Sequence, residues 1–372
     1  MSMTFAQRLA AIRARLHATP LDCVVALHDG AHFIEKPDPV MVLTGFKALG
    51  TVAAVLDRAG AVTLVVTPSW DSERAREACP SIKIVPADDV IAGLKSAIGS
   101  GTERFAIGVA GLTALPHGIA RRLTDLVSQG HDAEAIVFEP AQCKTDTELA
   151  HAREATRIAE LGYKHLLEVA RPGMTEDELA MELRWHSKSL GAEDNFVLLC
   201  AGPHNKAVAP SNGRRMQAGD IIVCEITPSY RGQLAQICRT IVLGEAAPVL
   251  RKKYQLIISS MNAGFAAAVP GATMAGVCQA MNAVLEAEGY GEFCHPPHIR
   301  RHGHGLGFGA TGPGDVALDN ATALEPDMLF MIHPNQYLPE TGYLLCGEPA
   351  VLTPQGARAL TREQAALAEI AL

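Results

Sequence analysis

A chain of 372 residues and 39.4 kDa is too long for one ordinary domain and long enough for two, each able to bury a sizeable core. Hydrophobic residues make up 48% and charged residues 19%, which excludes disorder for want of a core, and a formal net charge of -8 argues against a nucleic-acid surface. No apolar run is long enough to span a bilayer, and the opening Met1-Ser2-Met3-Thr4-Phe5-Ala6-Gln7-Arg8 has no secretory apolar region, so no membrane is expected and the cytoplasm is the expected location.

In chain order, residues 5–140 alternate short apolar runs with helical stretches. Cys23-Val24-Val25-Ala26-Leu27, Val40-Met41-Val42-Leu43 and Val62-Thr63-Leu64-Val65-Val66 read as strands, and residues 48–59 as a helix. This predicts a small α/β domain over residues 1–142 and a second domain over residues 143–372. Thr145-Asp146-Thr147-Glu148 has a Thr and a Glu at capping-box spacing and opens a long helix to about Val169. A helix then ends at Arg171-Pro172-Gly173-Met174, and Thr175 with Glu178 starts another. Roughly one hundred residues later Val269-Pro270-Gly271-Ala272-Thr273 repeats the break ahead of a helix over residues 274–288. Strands follow in each half, over residues 221–227 and 233–242 and then over residues 328–333 and 343–352. The pattern predicts an internal duplication that curves one antiparallel sheet around a central pocket. The 9 cysteines are odd in number, dispersed and never Cys-x-x-Cys, which suits reduced thiols rather than disulfides or structural zinc.

Several marks of the second domain occur together: the Arg171-Pro172-Gly173-Met174-Thr175 helix break, the Gly219-Asp220 strand start, the Arg239-Thr240 strand end, the Gly303-His304-Gly305 loop and Met331-Ile332-His333-Pro334. With these, residues 145–356 resemble the pita-bread fold of creatinase, prolidase, aminopeptidase P and methionine aminopeptidase. The first domain, with Leu43-Thr44-Gly45-Phe46, resembles the creatinase-type N-terminal domain. In metal-dependent members two Asp, one His and two Glu hold a dinuclear centre that activates water. Carried onto this sequence, those positions fall on Glu225, Gln236, His304, His333 and Gly347, or Glu348 with a shift of one residue. A neutral amide is a poor bridging ligand and Gly offers no side chain. The resemblance therefore implies no cofactor. An alternative reading keeps a single divalent Fe, Mn or Zn on Glu225, His304, His333 and Glu348, with lyase, oxygenase or hydrolase chemistry.

Creatinase lacks the metal and uses a His in a Pro-His-Asn stretch as general acid and base, and Pro203-His204-Asn205 stands at that place here, with Thr227-Pro228 further on. The carboxylates that hold creatine fall on Cys238 and His333, which argues for a different substrate. The leading expectation is a metal-independent hydrolase acting on a C–N bond of a small amide, cyclic amidine or guanidino compound, as in creatinase or ectoine hydrolase. His204 would be the general base and then acid, and Glu225, His304 and His333 would hold and polarise the substrate. Gln236, Cys238, Arg301 and Glu348 are candidate substrate contacts. Cys238 is also a possible thiolate nucleophile, and Arg300 with Arg301 a possible carboxylate clamp. The expected partners are a small-molecule substrate and a second copy of the chain, with Phe46 and Lys47 lent to the other subunit's pocket. A Xaa-Pro-peptidase-like pseudoenzyme that only binds a ligand is a further alternative. The alternative for each of these histidines is a loop or packing residue.

Overall fold

The structure is a computed structural model that describes residues 2–99, 105–127 and 130–372. The chain divides into two compact units, Met1–Asp146 with Phe308–Thr311, and Thr147–Gly307 with Gly312–Leu372.

The first unit is built on a six-stranded mixed sheet in the order Lys83–Pro86, Val62–Val66, Val52–Asp57, Cys23–His28, Ile107–Ala110 and His131–Asp132. Its central strands are buried on both faces. Val24 and Ala26 pack into one core with Ala54 and Leu56, while Val25 and Leu27 pack into another with Ala53 and Val55. A strand covered on both sides needs an unbroken apolar run and shows no alternation. For that reason two sequence expectations are reversed. Residues 48–59 contain the strand Val52–Asp57, not a helix, and Val40-Met41-Val42-Leu43 lies in the helix Pro39–Thr44, not in a strand. The helix is set by its ends: the Asp38 side chain accepts from Met41 N, Pro39 sits in the first turn, and Gly45 at φ 70° closes it in the left-handed region.

The second unit has the α/β architecture and the internal duplication read from the sequence. The helices Asp146–Val169 and Glu176–Ser189 lead into the strands Asp194–Gly202, Ile221–Tyr230 and Ile237–Leu243. The helices Pro248–Ala267 and Met274–Ala287 lead into Leu329–Ile332, Glu348–Thr353 and Gly356–Ala359. The two helix breaks are built alike. Gly173 N–H donates to Met216 O at 2.8 Å, and Gly271 N–H donates to Leu324 O at 2.8 Å. Both glycines have positive φ, 88° and 84°. Thr175 caps through Glu178 N and Thr273 through Gly276 N. In place of one continuous sheet the described residues form a five-stranded sheet, a three-stranded sheet and a two-stranded hairpin over Gln336–Leu338 and Gly342–Leu344, the first two joined where Cys238 and Gly347 exchange N–H···O bonds of 3.1 and 3.2 Å.

Alternation fixes which side chains face inward. Ile222, Cys224 and Ile226 pack with Leu179, Leu183 and Leu199 against the helices. Glu225, Thr227 and Ser229 therefore lie on the opposite face of an unbulged strand. On the second half, His302 and His304 are tied to the strand that ends at Ile332 by Met331 N to His304 O, 2.7 Å, and His333 N to His302 O, 2.9 Å. The loop comes this close only because it is glycine-rich. A Cβ on Gly303, at φ 152°, would lie 1.9 Å from Met331 O. Gly303→Ala is therefore expected to cost at least about 3 kcal/mol of stability in urea unfolding; a cost below about 1 kcal/mol would contradict this packing.

Candidate functional site

The inner face of the second unit carries a chain of polar contacts that crosses both halves. Gln236 Nε2 donates to Glu225 Oε2 at 3.2 Å, which leaves Gln236 Oε1 to face His304 Nε2 at 3.0 Å. From the other half, Asn335 Nδ2 donates to Glu225 Oε1 at 2.9 Å. Glu225, Gln236 and Asn335 are all buried, at 9, 2 and 4% exposure. His333 stands edge-on to His304, with ring centroids 5.3 Å apart. Burial, then the neighbouring His304 and Arg301, hold the His333 imidazole well below its ordinary range, so it is neutral at pH 7. Its Nδ1 is buried with no hydrogen-bond partner, as are Asn335 Oδ1, Thr227 Oγ1 and Ser229 Oγ. Buried polar atoms are normally satisfied, so unsatisfied ones on the face that carries a buried carboxylate mark a place for a polar ligand.

The structure brings together Glu225, Gln236, His304 and His333, and sets other expected residues apart. His204 is exposed, with Nε2 3.0 Å from Pro339 O and its ring edge-on to Tyr337, and no described contact joins it to Glu225, His304 or His333. Glu348 points away from this face: its Oε1 accepts from Ala365 N, and Arg239 Nη2 lies 3.2 Å from its Oε2. Arg301 is committed to Asp315 at 2.8 Å. Cys238 lies near Asn335, but burial, then the charge of Glu225, pushes its thiol well up, which corrects the thiolate reading. Phe46 is 1% exposed in the core of the first unit, with the Arg74 guanidinium 4.4 Å above its ring, so it offers no surface to another subunit. Lys47 is half-buried, and its carbonyl accepts from Arg74. Sequence reasoning missed Asn335 and Ser229, and named Thr227 only as part of the Thr227-Pro228 pair. The period-two spacing of 225, 227 and 229 was the available signal; Asn335 had none beyond its place after His333-Pro334.

The sequence model of metallopeptidase family M24 matches residues 150–358, more than half of the chain. The chain belongs to that family. The Xaa-Pro dipeptidase of Pyrococcus furiosus is 24% identical over 337 residues, 89% of this chain and 93% of its own length. The uncharacterized peptidase YqhT of Bacillus subtilis is 28% identical over 226 residues, 59% of this chain and 62% of its own length. Among solved structures, the prolidase of Pyrococcus horikoshii superposes with a TM-score of 0.83 at 20% identity, covering 96% of this chain and 99% of its own. The dipeptidase PepE of Mycobacterium ulcerans gives 0.82 at 23%, covering 99% and 98%. This M24 member is thus a hydrolase by family. Membership in a metallopeptidase family overturns the expectation of an enzyme without a metal cofactor.

The residues at the family's metal positions nevertheless do not fit a dinuclear centre. Gln236 is neutral, and both Glu225 oxygens already accept amide hydrogens. No side chain can stand at 347, where a Cβ would lie 2.3 Å from His333 Cβ. A single ion on the alternative set fares no better, because Glu348 is turned to Arg239 and Ala365. Among the described residues, Glu225, His304 and His333 do not form a cluster whose ligand atoms lie within 4.8 Å of one another. No helix of the described residues is long and apolar enough to cross a membrane.

His302, beside this face, is held by Asn282 Oδ1 at 2.6 Å, and burial lowers its pKa from 6.5 to about 4. A histidine depressed on folding binds more protons when unfolded, so its stabilising contribution is present above pH 6.5 and lost as pH falls toward 4. The slope is about 1.4 kcal/mol per pH unit for one such group, and His333 adds in the same direction. Urea unfolding between pH 7 and pH 5 is expected to show this loss, with a shallower slope in His302→Gln. Equal slopes would contradict it.

Proposed function

We propose that this chain hydrolyses a C–N bond of a small substrate whose cationic nitrogen is held by Glu225. The observation that carries the reading is the set of buried unsatisfied polar atoms on the inner face that also carries a buried carboxylate, Glu225, which accepts from the neutral amides of Gln236 and Asn335. Neutral donors solvate the charge without cancelling it, so an ammonium, amidinium or guanidinium group is the complementary partner.

His333 suits the proton transfer better than the exposed His204, because it is buried, neutral and has Nδ1 unsatisfied. In this reading Nδ1 takes a proton from water as the water oxygen attacks the carbon of the C–N bond. The imidazolium then delivers that proton to the leaving nitrogen as the bond breaks. His304 is a positioning residue that holds Gln236 and, through it, Glu225. A dipeptide with a free α-ammonium meets the same description as a guanidino compound. The near full-length alignment with the Pyrococcus furiosus Xaa-Pro dipeptidase favours the dipeptide as a second reading.

A panel of Xaa-Pro dipeptides, cyclic amidines and guanidino compounds, each beside its neutral N-acylated isostere, tests the claim. Glu225→Gln is expected to raise KM at least about tenfold for the cationic member, and His333→Gln to lower kcat about 100-fold or more. Because the pKa of His333 lies below the ordinary histidine range, kcat/KM should hold steady as pH falls through 6.5. Equal turnover of the neutral isosteres would sink the role of Glu225.

A further inference from the structure

Three acceptors converge in the first unit with no hydrogen between them. The strand Cys23–His28 ends on His28, and the chain returns through His32 to Asp38, the N-cap of the helix Pro39–Thr44. His28 Nδ1 lies 3.4 Å and His32 Nδ1 3.3 Å from Asp38 Oδ2, with the two rings stacked at 4.9 Å. His32 Nε2 lies 3.0 Å from Ala48 O, so that nitrogen bears a hydrogen, and in the neutral ring Nδ1 presents a lone pair to Asp38. His28 Nδ1 accepts from Gly30 N–H at 3.1 Å, so it too is a lone pair. Asp38 is fixed from outside the cluster: Oδ1 accepts from Met41 N at 2.9 Å, and its own N–H donates to Phe308 O at 3.1 Å.

Asp38 is 2% exposed and its Oδ2 has no hydrogen-bond partner; His28 Nε2 is likewise buried and unpartnered. Lys36, the neighbouring cation, is engaged by Asp29. A buried carboxylate oxygen facing two imidazole lone pairs is repulsive unless a cation joins them. A proton on His28 Nδ1 is the weaker candidate, because that nitrogen already accepts from Gly30 N–H. The spacing suits a metal: bonds of about 2.0–2.1 Å at tetrahedral angles separate ligand atoms by about 3.3–3.4 Å. All three ligand atoms lie within 4.8 Å of one another, and the His32 side chain, 20% exposed, leaves an open side for a fourth ligand.

We propose that His28, His32 and Asp38 bind one divalent transition ion, with Zn2+ the best match to two imidazoles, one carboxylate and a water. Binding exchanges the Gly30 hydrogen bond at His28 Nδ1 for a metal bond. The site lies outside the segment matched by the M24 family and is independent of the hydrolytic reading.

The test uses the full chain stripped with chelator, then dialysed to equilibrium against micromolar Zn2+ and titrated with Co2+. Asp38→Asn keeps the capping oxygen and removes the charge, and His32→Gln alters the most accessible ligand. Wild type is expected to hold one more equivalent of Zn2+ than either variant, and to show a tetrahedral Co2+ band at least tenfold stronger. Any metal in the second unit cancels in the difference. Equal stoichiometry in all three proteins would overturn the proposal. So would a wild-type protein that takes up no Zn2+ while metal-free Asp38→Asn melts higher, which would mean that the triad shares a proton.

Discussion

A buried arginine ties the two halves of the second unit together. Arg239 is 2% exposed and lies within the strand Ile237–Leu243 of the first half, yet it donates to Gly347 O at 2.9 Å and pairs with Glu348 in the second half. Beside it, Thr240 Oγ1 donates to Leu345 O and accepts from Leu345 N, both at 2.8 Å. Removing one member of a buried ion pair costs about 3–5 kcal/mol, because the other is left charged in a medium that cannot solvate it. The Cys238 and Gly347 bridge, and the inner face it supports, therefore depend on the opposite face of the same strand.

Strand alternation explains why the ligand pattern of the family cannot be rebuilt here by a shift of one residue. Gly347 faces His333 and Glu348 faces Arg239, so a carboxylate one position later lies on the wrong side of the sheet. The carboxylate that stays, Glu225, accepts from two amides. This charge arrangement differs from that of a dinuclear centre, although the backbone superposes on a prolidase with a TM-score of 0.83.

What the sequence disclosed was mostly local. Thr175 with Glu178, the paired Gly173 and Gly271 turns and the Gly303 loop are set by capping and backbone geometry, so the duplication and the α/β class were legible. The strand Val52–Asp57 and the helix Pro39–Thr44 were not, because apolar runs buried on both sides carry no periodicity; Asp38, Pro39 and Gly45 at the helix ends were the better signal. The positions of His204, Phe46 and Glu348 depend on contacts far away in sequence, with Pro339, Arg74 and Arg239, that no spacing announces. The expectation of no metal cofactor, drawn from Gln236, His333 and Gly347 at the ligand positions, was overturned by the match to the family's sequence model.

The duplicated halves share their scaffolding but not their chemistry. Gly173 and Gly271 build the same turn, yet one repeat supplies the acid and its amide, Glu225 and Gln236, while the other supplies both imidazoles and Asn335. The symmetry of the backbone is thus not carried into the side chains: the carboxylate stands in one half and both imidazoles in the other. A single repeat could preserve every turn and cap and still contain only part of the polar chain from Glu225 to His304.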